Sequence, residues 1–444
     1  MNLRDKKGSI SIFVLVALLF MAGFLIISFA SNVNKSKTIK EQFNIISGIY
    51  SYTNGEEGAY DKAYTDLRNK NKQTMTASSE NSSTLELTKT FDENMSNYRI
   101  YGNSVQNGTP TPEAPIEVQS VGDKTKNILN IEPMLIASNW IADSSLNSSG
   151  YWNYPIKNLK PNTTYTLSMK ENGWNGISDN GLYVTLRNNV GVFAEAGALC
   201  HTTGQKWYCK SKVTITSNEN GMLYLAFYNP TDERLALFFS KCPEMMIEEG
   251  SSNTSYEPYG YKIPVKVSYE LGNEINTNIY LNEPLRKIGD YADYIDFESK
   301  KVVRNIKETI LDGTENWKKS IYGTNCYYLV DYDLLVKGDT STIYSNCFKG
   351  VTWNDRTINE NNIAYMDTTY NSITFRNTEH TSINSFIDFL KNNSVKVDCV
   401  LTTPKEEPIS LPELKTYEDY TKIEVLTEVA PSKIEATYQG YTLD

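Results

Sequence analysis

The sequence predicts a mainly β fold: one N-terminal transmembrane helix, then two β-sandwich modules, with one short helix in the second. Three observations carry this. Ile10 to Ala30 is a run of 21 residues without a charge. As a helix it spans about 32 Å, the thickness of a bilayer's hydrocarbon core. From Leu85 onward, short alternating apolar runs are separated by Gly, Asn, Asp and Pro, the punctuation of strands and turns. One helical stripe interrupts them: Ile383, Phe386, Ile387 and Leu390 follow a capping Ser382 at helical spacing.

The totals narrow the function classes. A chain of 444 residues accommodates two or three domains of roughly 100 to 200 residues. The net charge of -10 argues against nucleic acid, which recruits clustered Lys and Arg. The 31 Tyr and 6 Trp suit half-buried sheets and wet binding faces. Only His201 and His380 are present, which leaves little room for triads, His acid–base pairs or zinc sites. The cysteines at 200, 209, 242, 326, 347 and 399 form no CxxC and are too sparse for a disulfide-built fold. A Cys200–Cys209 bridge across a hairpin stays open, and it requires an extracellular domain.

The head MNLRDKKG is basic, and Lys35, Lys37 and Lys40 nearly balance it from the other flank. A short basic head before one apolar helix places the N-terminus inside and the C-terminal region outside. Ser28-Phe29-Ala30 has small residues at signal-peptidase spacing. The apolar run exceeds that of a signal peptide, so an uncleaved signal anchor is expected. RDKKGSISIFVLVALLF also resembles the leader and first helix of prepilins, including pseudopilins of the TadE type. That resemblance implies cleavage after Gly8 and a pilus-like assembly. The Glu usual at the fifth mature position is Phe13 here. Ile39, Phe43, Ile46 and Tyr50 continue a helical stripe past the membrane, Glu56 to Lys72 reads as a polar helix, and Thr74 to Thr84 reads as a flexible linker.

The first β module is expected over residues 85–272. Its clearest strands are YRIY at 98–101, IEVQSV at 116–121, TYTLSMK at 164–170 and GMLYLAFY at 221–228. The last is apolar on both faces and is expected at the centre of a sheet. In NLKPNTTYTL, Pro161 and Asn162 make the bend and Tyr165 and Leu167 point inward. No helix is expected between 85 and 270. The second module, 273–444, opens with a hairpin of DYIDF and VVRNI around Glu298 to Lys301. Strands follow at 325–330, 341–348, 372–377 and 396–401. Tyr256-Glu257-x-Tyr259 with Lys262-Ile263-x-Val265 is echoed by Tyr417-Glu418-x-Tyr420 with Lys422-Ile423-x-Val425, read as two modules ending alike. YRIYGNSVQNGTPTPEAPIEVQSVGDKTKNILN at 98–130 resembles a segment of prophage-encoded tail and minor structural proteins. MIEEGSSNTSYEPYGYKIPVKVS at 246–268 resembles the closing strand of carbohydrate-binding jelly rolls in such proteins. Residues 275–306 and 397–414 fit the same pattern. The resemblance implies jelly-roll-like modules and a binding or structural role.

There is no P-loop, HExxH, EF-hand loop or GxSxG. A zinc site would need Cys200, His201, Cys209 and Cys242 to converge; buried small hydrophobes are expected instead, with no metal, cofactor or catalytic residue. The ligand-binding candidates are Trp152 and Trp174, in polar turn-rich settings, with Asn153 and Asn175 beside them to bond hydroxyls. The expected function is a non-catalytic, membrane-anchored, surface-displayed binding or adhesion protein for carbohydrate or protein. The alternatives are a minor pilin in a pilus-like or self-assembling structure, and a prophage tail-type structural protein. Nucleic acid is not an expected partner.

Overall fold

The computed structural model describes residues 59–143, 150–170, 183–190, 198–203, 206–270, 272–322, 324–330, 342–352, 360–367 and 372–442. Ile10 to Ala30 and the stripe Ile39 to Tyr50 lie outside the described residues, and no described helix is long and apolar enough to cross a membrane. The fold is mainly β. Its α-helices among the described residues are α1 (Ala59–Lys70), α2 (Asp232–Lys241) and α3 (Ile383–Asn392).

Two compact units emerge. The larger joins residues up to 121 with 264–279 and 285 onward; the smaller is 122–263 with 280–284. The boundary expected at 85 therefore falls at 122. The reason lies in strand pairing. Residues Asn97–Tyr101 are hydrogen-bonded between Lys433–Tyr441 and Tyr294–Asp296, so the segment from 85 belongs with the C-terminal half.

In the larger unit a seven-stranded sheet runs in the order Lys72–Glu80, Lys433–Tyr441, Asn97–Tyr101, Tyr294–Asp296, Lys301–Leu311, Val395–Pro408, Tyr344–Ser345. The stretch expected as a flexible linker is its edge strand, paired in register from Lys72↔Tyr441 to Glu80↔Lys433. Ser and Thr suit such a strand because little of it is buried: only Met75, Ala77 and Ser79 alternate inward, half-buried. Helix α1 packs through Arg68, whose guanidinium lies 5.6 Å from the Tyr441 ring centre. Arg68 pairs with Glu418 and its guanidinium lies 4.7 Å from the Phe91 ring centre. The expected hairpin is present, Tyr294↔Val303 to Asp296↔Lys301, and Asp296 Oδ1 accepts from the Glu298 and Ser299 amides in its turn. The echoed segments are neighbours in one sheet, Val265↔Val425 and Val267↔Ile423, rather than the ends of two modules.

A second sheet in this unit is ordered Trp317–Tyr322, Thr324–Val330, Ser372–Arg376, Ile363–Asp367, Lys349–Gly350. Helix α3 packs on it as its stripe predicts. Ser382 caps it by accepting from the Ser385 amide at 3.1 Å. Phe386 and Leu390 enter a core with Tyr327, Phe348, Phe375 and Val397.

In the smaller unit a six-stranded sheet, Lys206–Cys209, Ala198–Thr203, Tyr183–Arg187, Leu223–Tyr228, Tyr151–Ile156, Ile141–Ala142, shares one core with a three-stranded sheet of Lys212–Thr216, Thr164–Ser168 and Met246–Glu249. Leu223–Tyr228 is central, as its two-sided apolar pattern requires. Asn162 turns at φ 50°, and Tyr165 and Leu167 are buried. The region was expected to lack helices, yet α2 lies within it. Its signal is Thr231 at the N-cap, accepting from the Arg234 amide at 3.3 Å, with Leu235, Phe238 and Phe239 buried at helical spacing. The surrounding strands mask that short stripe.

Candidate ligand-binding site in the smaller unit

The site is built on the strand Tyr151–Ile156, where successive side chains alternate between faces. Trp152 sits opposite Phe227 on the neighbouring strand and packs, half-buried, against the core. Asn153 therefore points the other way, and the two cannot line one surface. Trp174 and Asn175 lie outside the described residues.

Asn153 enters a buried polar clasp. Its Nδ2 donates to Asp143 Oδ2 at 3.1 Å. Arg187 Nη1 donates to the same oxygen at 3.1 Å, both of these charged side chains having 0% exposure. Arg187 Nε donates to Thr185 Oγ1 at 2.9 Å. The Tyr151 ring centre lies 5.1 Å from the guanidinium. Burial lowers the Arg187 pKa, and Asp143 opposes that shift. The clasp ties three strands on the face away from the core. Its members are too buried to meet a ligand.

Tyr154, Pro155, Ile156, Lys157 and Asn158 instead form one wall of an open cavity of ≈ 410 Å³, with Ile128, Leu129, Asn130, Met134 and Asn139 opposite. Its walls are fixed from behind. Asn127 Oδ1 accepts from the Leu129 and Ile247 amides at 2.9 and 3.2 Å. Trp140 donates through Nε1 to the Met134 carbonyl at 2.9 Å and packs 5.5 Å from the Tyr154 ring. Asn139 Nδ2 donates to the Pro133 carbonyl at 2.8 Å, leaving its Oδ1 to the rim. Lys157 and Asn158 are exposed. The lining combines apolar side chains, the Tyr154 ring, three asparagine amides and Lys157. The cavity's volume lies in the range of small-molecule sites.

Of the residues expected from the sequence, Trp152 and Asn153 lie on this strand but outside the cavity lining. GYWNYP drew attention to Trp152, while Tyr154 lines the cavity. Asn130, Asn139, Lys157 and Asn158 carried no signal, because surface amides of this kind occur throughout the chain.

The larger unit holds another buried charged cluster. Asp293 accepts from the amides of Arg286, Asn305 and Ile306 at 3.1, 2.7 and 3.0 Å and faces Arg304 at 3.5 Å. Arg286 Nε lies 3.4 Å from Asp398. Burial pushes Asp398 up to about 7, and Glu308 and Asp293 add to the rise against Arg286 and Lys396. The adjoining cavity is ≈ 10 Å³, the size of one water. The cluster sits where the strands Lys301–Leu311 and Val395–Pro408 shift register between Arg304 and Ile306, and it neutralises the bulge.

Comparison with family models, curated proteins and solved structures finds no match.

Proposed function

We propose that this is a non-catalytic, surface-displayed binding protein whose ligand is a carbohydrate or a carbohydrate-like polar molecule. The smaller unit, read as a jelly-roll-type sandwich, does the binding. The larger unit carries it, and Ile10 to Ala30 anchors the chain to the membrane with the β units outside. The observation that supports this reading is the ≈ 410 Å³ cavity lined by Tyr154 together with Asn130, Asn139 and Asn158. Its walls are held by hydrogen bonds before a ligand arrives, so little ordering cost is left for binding.

A glycan array probed with the full chain tests the reading, followed by titration calorimetry on any sugar retained. Asn139→Ala and Lys157→Ala remove rim groups without entering the core. Each is expected to weaken binding about 5- to 10-fold, the worth of one lost hydrogen bond of ~1 kcal/mol. An array with no retained glycan, or a retained glycan bound equally by wild type and both variants, overturns the assignment.

A further inference from the structure

Outside the cavity, the smaller unit gathers three cysteines from three elements. Cys200 and Cys209 face each other across the paired strands Ala198–Thr203 and Lys206–Cys209, Cα atoms 4.2 Å apart, and form a disulfide. Cys242 is the C-cap of α2, its amide donating to the Phe238 carbonyl at 3.0 Å. The three sulfur atoms all lie within 4.8 Å of one another. Simple core packing does not require this. Cys326, Cys347 and Cys399 are also buried, and no comparable trio is found among the described residues. Cys200 and Cys242 are enclosed by apolar side chains, and Cys209 is half-buried, leaving an approach from one side.

We infer that, once the disulfide is reduced, Cys200, Cys209 and Cys242 form a trithiolate site for a soft divalent cation of the zinc and cadmium class. Tetrahedral Zn–S bonds of about 2.3 Å place sulfurs roughly 3.8 Å apart; the Cys200 and Cys209 sulfurs separate to that distance on reduction, and the Cys242 sulfur already lies within 4.8 Å of both. Thiolates select such cations over calcium or magnesium. The backbone already holds two of the ligands in a strand pair and the third at a helix end. The fourth position is left to water. The step balances without a hidden reagent. A trialkylphosphine reduces the disulfide, taking oxygen from water as the phosphine oxide and leaving two thiols. Each thiol then gives up its proton to solvent as it ligates the cation. Each ligating thiol must lose its proton, so binding is expected to strengthen as pH rises. The disulfide is the alternative, metal-free state of the same site.

The test uses the full chain, reduced with phosphine, freed of reductant without air, and titrated with Cd²⁺. The readout is the ultraviolet thiolate-to-metal charge-transfer band. Reduced wild type is expected to take up one Cd²⁺ per chain at this site, and the oxidised chain none. Cys242→Ala keeps the Cys200–Cys209 pair and is expected to bind at least tenfold more weakly; Cys326→Ala, in the larger unit and outside the trio, is expected to bind as wild type does. Absence of a band in reduced wild type, or equal affinity in Cys242→Ala, overturns the proposal. Matching far-ultraviolet circular dichroism of the variants separates loss of the site from loss of the fold.

Discussion

The two units solve the same problem, a buried arginine, in different ways. In the smaller unit Arg187 meets one carboxylate, Asp143, which also takes the Asn153 amide. In the larger unit Arg286 and Arg304 share Asp293 and Asp398 with Glu308 and Glu407 at the edge. The clasp ties strands that lie close in sequence. The network spans strands some hundred residues apart, where a register shift breaks the regular ladder. The difference follows from chain layout. The smaller unit is built almost wholly from 122–263, whereas the larger is assembled from three separated stretches, so its distant strands need a specific charge pattern to fix their register.

Substitutions that strike one cluster should therefore be felt in one unit. Asp293→Ala has the largest expected effect. It removes a buried carboxylate partner of Arg304 and leaves three backbone amides without their acceptor, a loss of ~5 kcal/mol. Urea unfolding of the full chain should show the larger unit's transition moved to lower denaturant and the smaller unit's unmoved. Arg187→Met should do the reverse, costing ~3 kcal/mol, and adding Asp143→Leu should recover most of it by removing the orphaned carboxylate. If either variant shifts both transitions equally, the units do not unfold separately.

The network also predicts a pH effect that the clasp does not. Asp398 is raised to about 7 in the fold, against about 4 in an unfolded chain. Between these values the folded state holds a proton that the unfolded state has lost. The contribution is thus fully present below pH ~4 and is lost as pH rises through ~7, by a few kcal/mol. Thermal unfolding of Asp398→Asn should lack that decline, and an unchanged pH profile would show that Asp398 is not the group responsible. The smallest effects belong to the helix caps. Thr231→Ala in the smaller unit and Ser382→Ala in the larger should each cost ~1 kcal/mol, seen as faster amide exchange in the first turn of α2 or α3 alone.

How legible this was in the sequence depended on how much each element buries. Leu223–Tyr228, the hairpin at Glu298 to Lys301 and α3 each carry a periodic apolar signal tied to a core, and each was foreseen. The edge strand Lys72–Glu80 buries little, so its Ser and Thr imitate a linker. Pairing partners were harder still. Nothing local in YRIY announces that Asn97–Tyr101 lies beside Lys433–Tyr441, and without that pairing the domain boundary was placed at 85. The candidate site depended on position along the strand, not on face: Trp152 and Tyr154 share the core-facing side, but only Tyr154 is in the cavity lining.

The central claim is that 122–263 folds as a unit inserted into a separately folded scaffold. Its two ends are already adjacent, with Asp123↔Lys262 and Lys124↔Tyr261 paired as strands. Replacing residues 123–262 by a short Gly-Ser link tests this most directly, with cooperativity of unfolding as the readout. A chain that keeps its strand-rich circular dichroism and one sharp transition is the predicted result. A chain that loses cooperative unfolding would contradict it.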